Sequence, residues 1–300
     1  MQINMIRSDK VYQEMLELPL EKREGCFRAK ILAPFATKYQ TQHIPLKAKY
    51  PGGFDALFLL GFMNQLPSTL SEKDRPAIDA LSSDQLWQDC QDTIKRSIGL
   101  FEQSGYDLEV EDYHFTILLG NPEKPMLQLN KGYSGDGGIP GYLMLSLLPN
   151  DYTLPRVQAA LAHECNHNVR FQFVKWNQQT TLADWVVSEG LAESFAAELY
   201  GKDLIGPWVT STSPEQLEEI KPIISSQLQL TGMAEMAPYL YGDEIAKIQG
   251  QIPVGMPYAA GYAYGYHLIQ AYLKKTGKSI IEATVTPTEE ILEVTKDFWQ

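Results

Sequence analysis

Histidine and cysteine are both scarce in this chain, five and three among 300 residues. Cys26, Cys90 and Cys165 are odd in number and widely scattered, which does not suggest a disulfide framework. Positive charge is also short. Lys and Arg number 25 against 37 Asp and Glu, for a formal net charge of −12. That balance argues against nucleic acid and against an anionic membrane surface as partners. No apolar run approaches the roughly 18 residues of a membrane helix. The first ten residues, Met1–Lys10, lack the apolar core of a secretory leader, so a cytoplasmic location is expected. No internal repeat and no low-complexity segment appears. What remains is the composition of an ordinary globular protein, 44% hydrophobic and 11% aromatic, long enough to bury a large core in one or two domains.

Two of the few histidines stand together, in Leu161-Ala-His163-Glu164-Cys165-Asn166-His167-Asn168-Val169-Arg170. On a helix, residues i and i+4 lie one above the other, so His163 and His167 can each offer a ring nitrogen to one zinc ion. Glu164 sits about 100° round the helix, off that axis and well placed to hold a water on the metal. Val157, Ala160, Leu161, Val169 and Phe171 make the segment apolar enough to be buried. A buried glutamate is costly without a partner of this kind. The pattern is H-E-x-x-H, and the plainer reading of two structural histidines on a core helix is set against it.

A zinc site that keeps one position open needs a third protein ligand. The segment Trp185-Val-Val-Ser-Glu189-Gly-Leu-Ala-Glu193-Ser-Phe195 supplies two carboxylates four apart on an otherwise apolar helix. Without a nearby cation they would repel one another. Glu189 is the expected ligand, and Glu193 is expected to orient a ligand histidine from behind. Gly190 and Ala192 are small enough to let another helix approach closely.

These residues resemble a known group. H-E-x-x-H followed about twenty residues later by Glu-Gly-Leu-Ala resembles the gluzincin metallopeptidases. His163–Arg170, Ser188–Phe195 and Gly261-Tyr-Ala-Tyr-Gly-Tyr-His-Leu-Ile resemble, more narrowly, the YjaZ-like family of predicted Zn-dependent proteases. The resemblance covers roughly residues 110 to 295. It implies a zincin-like core, with His163, His167 and Glu189 as zinc ligands and Glu164 as general base. Cys165 and Asn166 depart from an expected aromatic residue and histidine, at positions that do not face the metal.

The fold expected is α+β and mostly helical, with a small antiparallel or mixed sheet. An N-terminal helical region (1–110) should precede a zincin-like catalytic domain (111–300), unless the two form one continuous domain. Helices are expected over Val11–Leu18, Glu21–Tyr39, a buried Asp55–Gln65, Asp84–Ser104, a zinc helix ending near Trp176, and Leu182–Gly201 stopped by its glycine. Strands are expected at His114–Gly120 and Gly141–Leu148. The glycine-rich Gly132–Gly141 between them is no phosphate cradle, because no Lys-Ser/Thr follows and it leads into a strand. It reads as a turn feeding an edge strand, which the resemblance implies could bind an extended peptide by β-augmentation. A plain core strand is the other reading.

Near the C-terminus, Tyr258–Leu273 is a helix dense in tyrosine. Tyr262, Tyr266 and His267 are candidate donors to a developing oxyanion, and Tyr262 is the choice. The activity expected is zinc-dependent hydrolysis of peptide or protein substrates, with Glu164 and Tyr262 catalytic. A non-hydrolytic zinc-binding module that holds peptides or regulates is the alternative from another class, and hydrolysis of a non-peptide amide also stays open.

Overall fold

The computed structural model describes the whole chain, Met1–Gln300. By packing, it divides into two compact units. One comprises Met1–Arg96 with Glu109–Leu161, the other Ser97–Leu108 with Ala162–Gln300. The division does not follow the single boundary near residue 110 expected from the sequence. Strands that fall after that point pack with the N-terminal helices.

The first unit is built on a four-stranded mixed sheet. Its strands are β1 (Gln2–Met5), β2 (Asp112–Leu119), β3 (Tyr133–Asp136) and β4 (Tyr142–Leu147), in the spatial order β1-β2-β4-β3. β1 and β4 flank β2 in parallel, with Met5 opposite Phe115 and Phe115 opposite Leu143. β3 runs antiparallel to β4, with Tyr133 opposite Leu147. A central parallel strand is covered on both faces, which is why β2 is apolar almost throughout (Phe115, Ile117, Leu118, Leu119) rather than alternating. Helix α1 (Ser8–Glu17) lies against β2: Tyr12 Oη accepts from the Leu119 amide at 3.2 Å, and the Ser8 hydroxyl donates to the Ile117 carbonyl. Lys38, fully buried, reaches Asp136 of β3 at 2.7 Å.

Three sequence expectations change here. β4 is paired on both sides and is therefore not an edge strand; the edges are β1 and β3. The reason is that the glycine-rich stretch folds as β3, with Gly132 and Gly141 at positive φ turning the chain at either end. The helix expected over Asp55–Gln65 is only Ala56–Leu60, stopped at Gly61, and it is not buried. Phe54, Phe58 and Phe62 pack on one another at the surface, tilted and edge-on, with centroids 5.9 and 5.5 Å apart. The expected helix Glu21–Tyr39 is broken into Leu20–Phe27, a π turn, a 3₁₀ turn and Ala36–Thr41, because Pro34 lacks the amide that a continuous helix requires. By contrast α2 (Asp84–Gln103) and the strands β2 and β4 fall within two residues of their expected limits.

The second unit is helical. α3 (Val157–Phe173) enters it at Ala162, and an eight-residue connection leads to α4 (Leu182–Tyr200). Thr181 caps α4: its hydroxyl accepts from the Asp184 amide, and the Asp184 carboxylate accepts from the Thr181 amide. Gly201, at φ 95°, ends it. α5 (Ala260–Thr276) crosses α4 at a glycine–glycine contact. A Cβ on Gly265 would lie 1.9 Å from the Val186 carbonyl oxygen, and one on Gly190 would lie 2.1 Å from the Gly265 oxygen. The two backbones touch, and neither can yield cheaply. Gly265→Ala is expected to cost about 3 kcal/mol or more, at the upper end of overpacking. Gly25→Ala, on an open helical surface, should instead gain up to about 1 kcal/mol. Denaturant midpoints of the two variants would show opposite shifts; equal shifts would mean that the helix crossing is not tight.

Arg170, completely buried, ties α3 to its neighbours. It donates to Ser188 Oγ on α4, to the carbonyls of Thr284 and Thr286 at the end of α6 (Ile280–Val285), and to Thr288 Oγ1 at the start of α7 (Thr288–Val294). Burial pushes its pKa down to about 10, opposed by Asp184 and Glu289, so it remains a cation at neutral pH.

Candidate metal centre

α3 places His163 and His167 one turn apart on the same face, with ring centroids 4.8 Å apart. α4 brings Glu189 to them. Its Oε2 lies 3.2 Å from His163 Nε2 and 3.2 Å from His167 Nε2, and the two Nε2 atoms are 3.1 Å apart. All three side chains are buried. The triangle is therefore three potential donor atoms facing a common point, and these residues could hold a metal ion.

Two observations test that fit. Donors placed tetrahedrally at about 2.0–2.1 Å from one ion are about 3.3–3.4 Å apart, close to the 3.1–3.2 Å edges found here. The protons point the same way. Glu193 Oε1 accepts from the Gly206 amide at 2.6 Å, and Oε2 from Trp208 Nε1 at 2.7 Å. Glu193 is thus the acceptor toward His163 Nδ1, 2.8 Å away. The network assigns His163 its proton on Nδ1, which turns a bare Nε2 lone pair toward Glu189 and His167. Facing lone pairs and a carboxylate in a dry interior suit a cation between them. Burial alone would lower the His163 pKa, but Glu189 and Glu193 together hold it well above the usual histidine range. Burial likewise raises Glu189, yet the two imidazoles outweigh it and bring that carboxyl down to about 2.

Glu164 is buried beside the triangle, and its carboxylate acts electrostatically on both His163 and Tyr262. The three oxyanion candidates separate. The Tyr262 phenol is raised well above its ordinary value, first by burial and then by Glu189, Tyr241, Glu164 and Tyr258. Tyr266 is raised by burial and by Glu193. His267 is lowered by burial and by Lys221. Tyr262 is the one that feels both Glu189 and Glu164.

Several further groups line this centre. Trp185 Nε1 donates to Glu189 Oε1 at 3.2 Å; its position one helical turn before Glu189 was the available signal. Gly206 and Trp208 reach Glu193 from a loop and a short helix, Pro207–Thr210, and no spacing rule points to them. Phe171 stacks on the His167 ring, 5.7 Å away and inclined by 7°. No protein group bonds to His167 Nδ1, so Phe171 packing and the Nε2 contact to Glu189 hold that ring.

The class this site defines is a protein with a buried two-histidine, one-carboxylate cluster and a second acid at its side. Residues 86–293 match the family described as predicted Zn-dependent protease (DUF2268), and the chain belongs to that family. It is similar to the Bacillus subtilis (strain 168) uncharacterized protein YjfC, 34% identical over 293 residues, 97% of each chain. It is also similar to the uncharacterized protein YjaZ of the same organism, 27% identical over 154 residues, 50% of this chain and 55% of that one. No solved structure matches it. No helix is long and apolar enough to cross a membrane.

Proposed function

We propose that this protein is a zinc-dependent metallopeptidase, acting on peptide or protein substrates in the cytoplasm. The observation that carries the reading is the convergence of His163 Nε2, His167 Nε2 and Glu189 Oε2 within 3.2 Å of one another. Two imidazoles and one carboxylate are a donor set suited to zinc with one position open to substrate or water. Zinc held there supplies Lewis acidity, polarising a carbonyl oxygen and lowering the pKa of water toward about 7.

The chain's own residues supply the rest. Glu164 takes the proton of the attacking water and passes it to the leaving amine nitrogen. Tyr262, kept protonated by burial and by its acidic neighbours, donates a hydrogen bond to the oxygen of the developing tetrahedral carbon. Glu193 holds His163 in the tautomer that leaves Nε2 free to coordinate. The buried carboxylate of Glu164 favours hydrolysis over a module that only holds zinc, since metal retention has no need of it.

Glu189→Ala is expected to lower zinc affinity by at least about 100-fold, because one of three ligands is lost. Zinc content after dialysis against a weak chelator measures this. The function itself is tested by incubating the protein with a mixed peptide library, with and without chelator. Cleavage that chelation abolishes is the expected result; a library left intact by fully zinc-loaded protein would overturn the reading.

A further inference from the structure

Two indoles flank the cluster, and each places its N–H on a different glutamate. Trp185 Nε1 donates to Glu189 Oε1, the oxygen turned away from the imidazoles, while Oε2 faces both Nε2 atoms. Trp208 Nε1 donates to Glu193 Oε2, the same oxygen that meets His163 Nδ1. Both tryptophans are almost fully buried. We infer that Trp185 and Trp208 are positioning residues of the metal centre, fixing which oxygen of Glu189 meets the metal and holding Glu193 behind His163. This rests on the metal reading proposed above and adds the residues that make the site selective for one arrangement.

The choice of indole has a physical reason. A buried carboxylate needs donors for its lone pairs, but a lysine or arginine here would set a fixed positive charge beside a dication and weaken its binding. An indole is a donor only and is neutral. It satisfies the oxygen, leaves the negative charge available to the metal, and its bulk excludes water. Trp185 also meets the Trp176 and Tyr241 rings edge-on, at centroid distances of 5.5 Å each, and Trp208 meets His163 edge-on at 5.9 Å. These packed rings leave each N–H little freedom to turn elsewhere. With Oε1 engaged, Glu189 presents a single oxygen; with Glu193 accepting from three donors, the His163 ring is aimed.

The test uses the full-length protein with zinc or cobalt as the probe. Trp185→Phe and Trp208→Phe keep an aromatic ring and delete only the N–H donor and part of the bulk. Each is expected to weaken zinc affinity by about 10–100-fold. Trp185→Phe should also alter the visible spectrum of the cobalt-loaded protein, as the freed oxygen changes the coordination. Trp176→Phe, which touches Trp185 but donates to neither glutamate, should leave both readings at the wild-type level. A second measurement needs no variant. Of the five indole N–H signals of the ¹⁵N-labelled wild type, those of Trp185 and Trp208 should move on adding zinc. Those of Trp87 and Trp299, bonded to the Leu81 and Leu292 carbonyls, should stay in place. Wild-type affinity in both variants, with all five signals unmoved by bound zinc, overturns the assignment while leaving the metal centre standing. An equal loss in Trp176→Phe also overturns it, because the effect would then belong to packing. A wild-type protein that takes up no zinc sinks the metal centre and this inference together.

Discussion

Glu164→Gln should keep one zinc ion per chain and hydrolyse peptides about 10²–10⁴-fold more slowly, the usual contribution of a positioned general base. The substitution is nearly isosteric, so the helix and the three donor atoms keep their places. What changes is chemistry: an amide oxygen is far too weak a base to accept the proton of the attacking water. The burial of Glu164 sharpens the contrast, because few alternative bases can enter a site whose donor residues are all largely shielded from solvent. Kinetics on a fluorogenic peptide, paired with metal analysis of the same sample, separate a lost base from a lost ion. A glutamine variant as fast as the parent removes Glu164 from the mechanism, whatever the metal content.

Arg170→Met should destabilise the protein by about 3–5 kcal/mol. Two terms oppose one another. Removing the cation relieves the cost of burying it, which its depressed pKa, about 10, reveals. Against that, the carbonyls of Thr284 and Thr286 and the hydroxyls of Ser188 and Thr288 lose a buried donor. Each stranded acceptor costs about 1–3 kcal/mol, so four of them outweigh the relief. Methionine fills part of the volume but offers no N–H. Chemical denaturation monitored by circular dichroism reads the loss directly, and a change below about 1 kcal/mol would show that the network is dispensable. Peptide hydrolysis by the surviving folded fraction should be affected much less than by Glu164→Gln.

The cluster was legible in the sequence because its logic is local. His163 and His167 are one turn apart, and Glu189 and Glu193 repeat that spacing on the next helix, so two short segments carry the donors. The close approach expected at Gly190 is there too, against Gly265. What the sequence did not reveal depends on partners distant along the chain. β1 is four residues long and finds its neighbour 110 positions later. β3 hides in a stretch whose glycines signal turn rather than strand. The exposed row Phe54, Phe58 and Phe62 reads as core because hydrophobicity alone does not distinguish a buried face from one where rings cover one another. Trp208 reaches Glu193 from a one-turn helix set by the loop before it, which no periodicity encodes. A helix that carries a site announces itself; the loops that complete the site do not.

The glycine crossing of α4 and α5 makes the alignment of the cluster depend on a distant part of the chain. Gly190 adjoins Glu189, and its backbone is seated against residue 265. All three candidate donor residues lie before residue 190, yet the helix that wedges α4 into place begins some seventy residues later. A chain that stopped before Ala260 would carry all three candidate donors without the helix against which Gly190 is seated. The three candidate donors are therefore brought into register only when α5 has packed against α4.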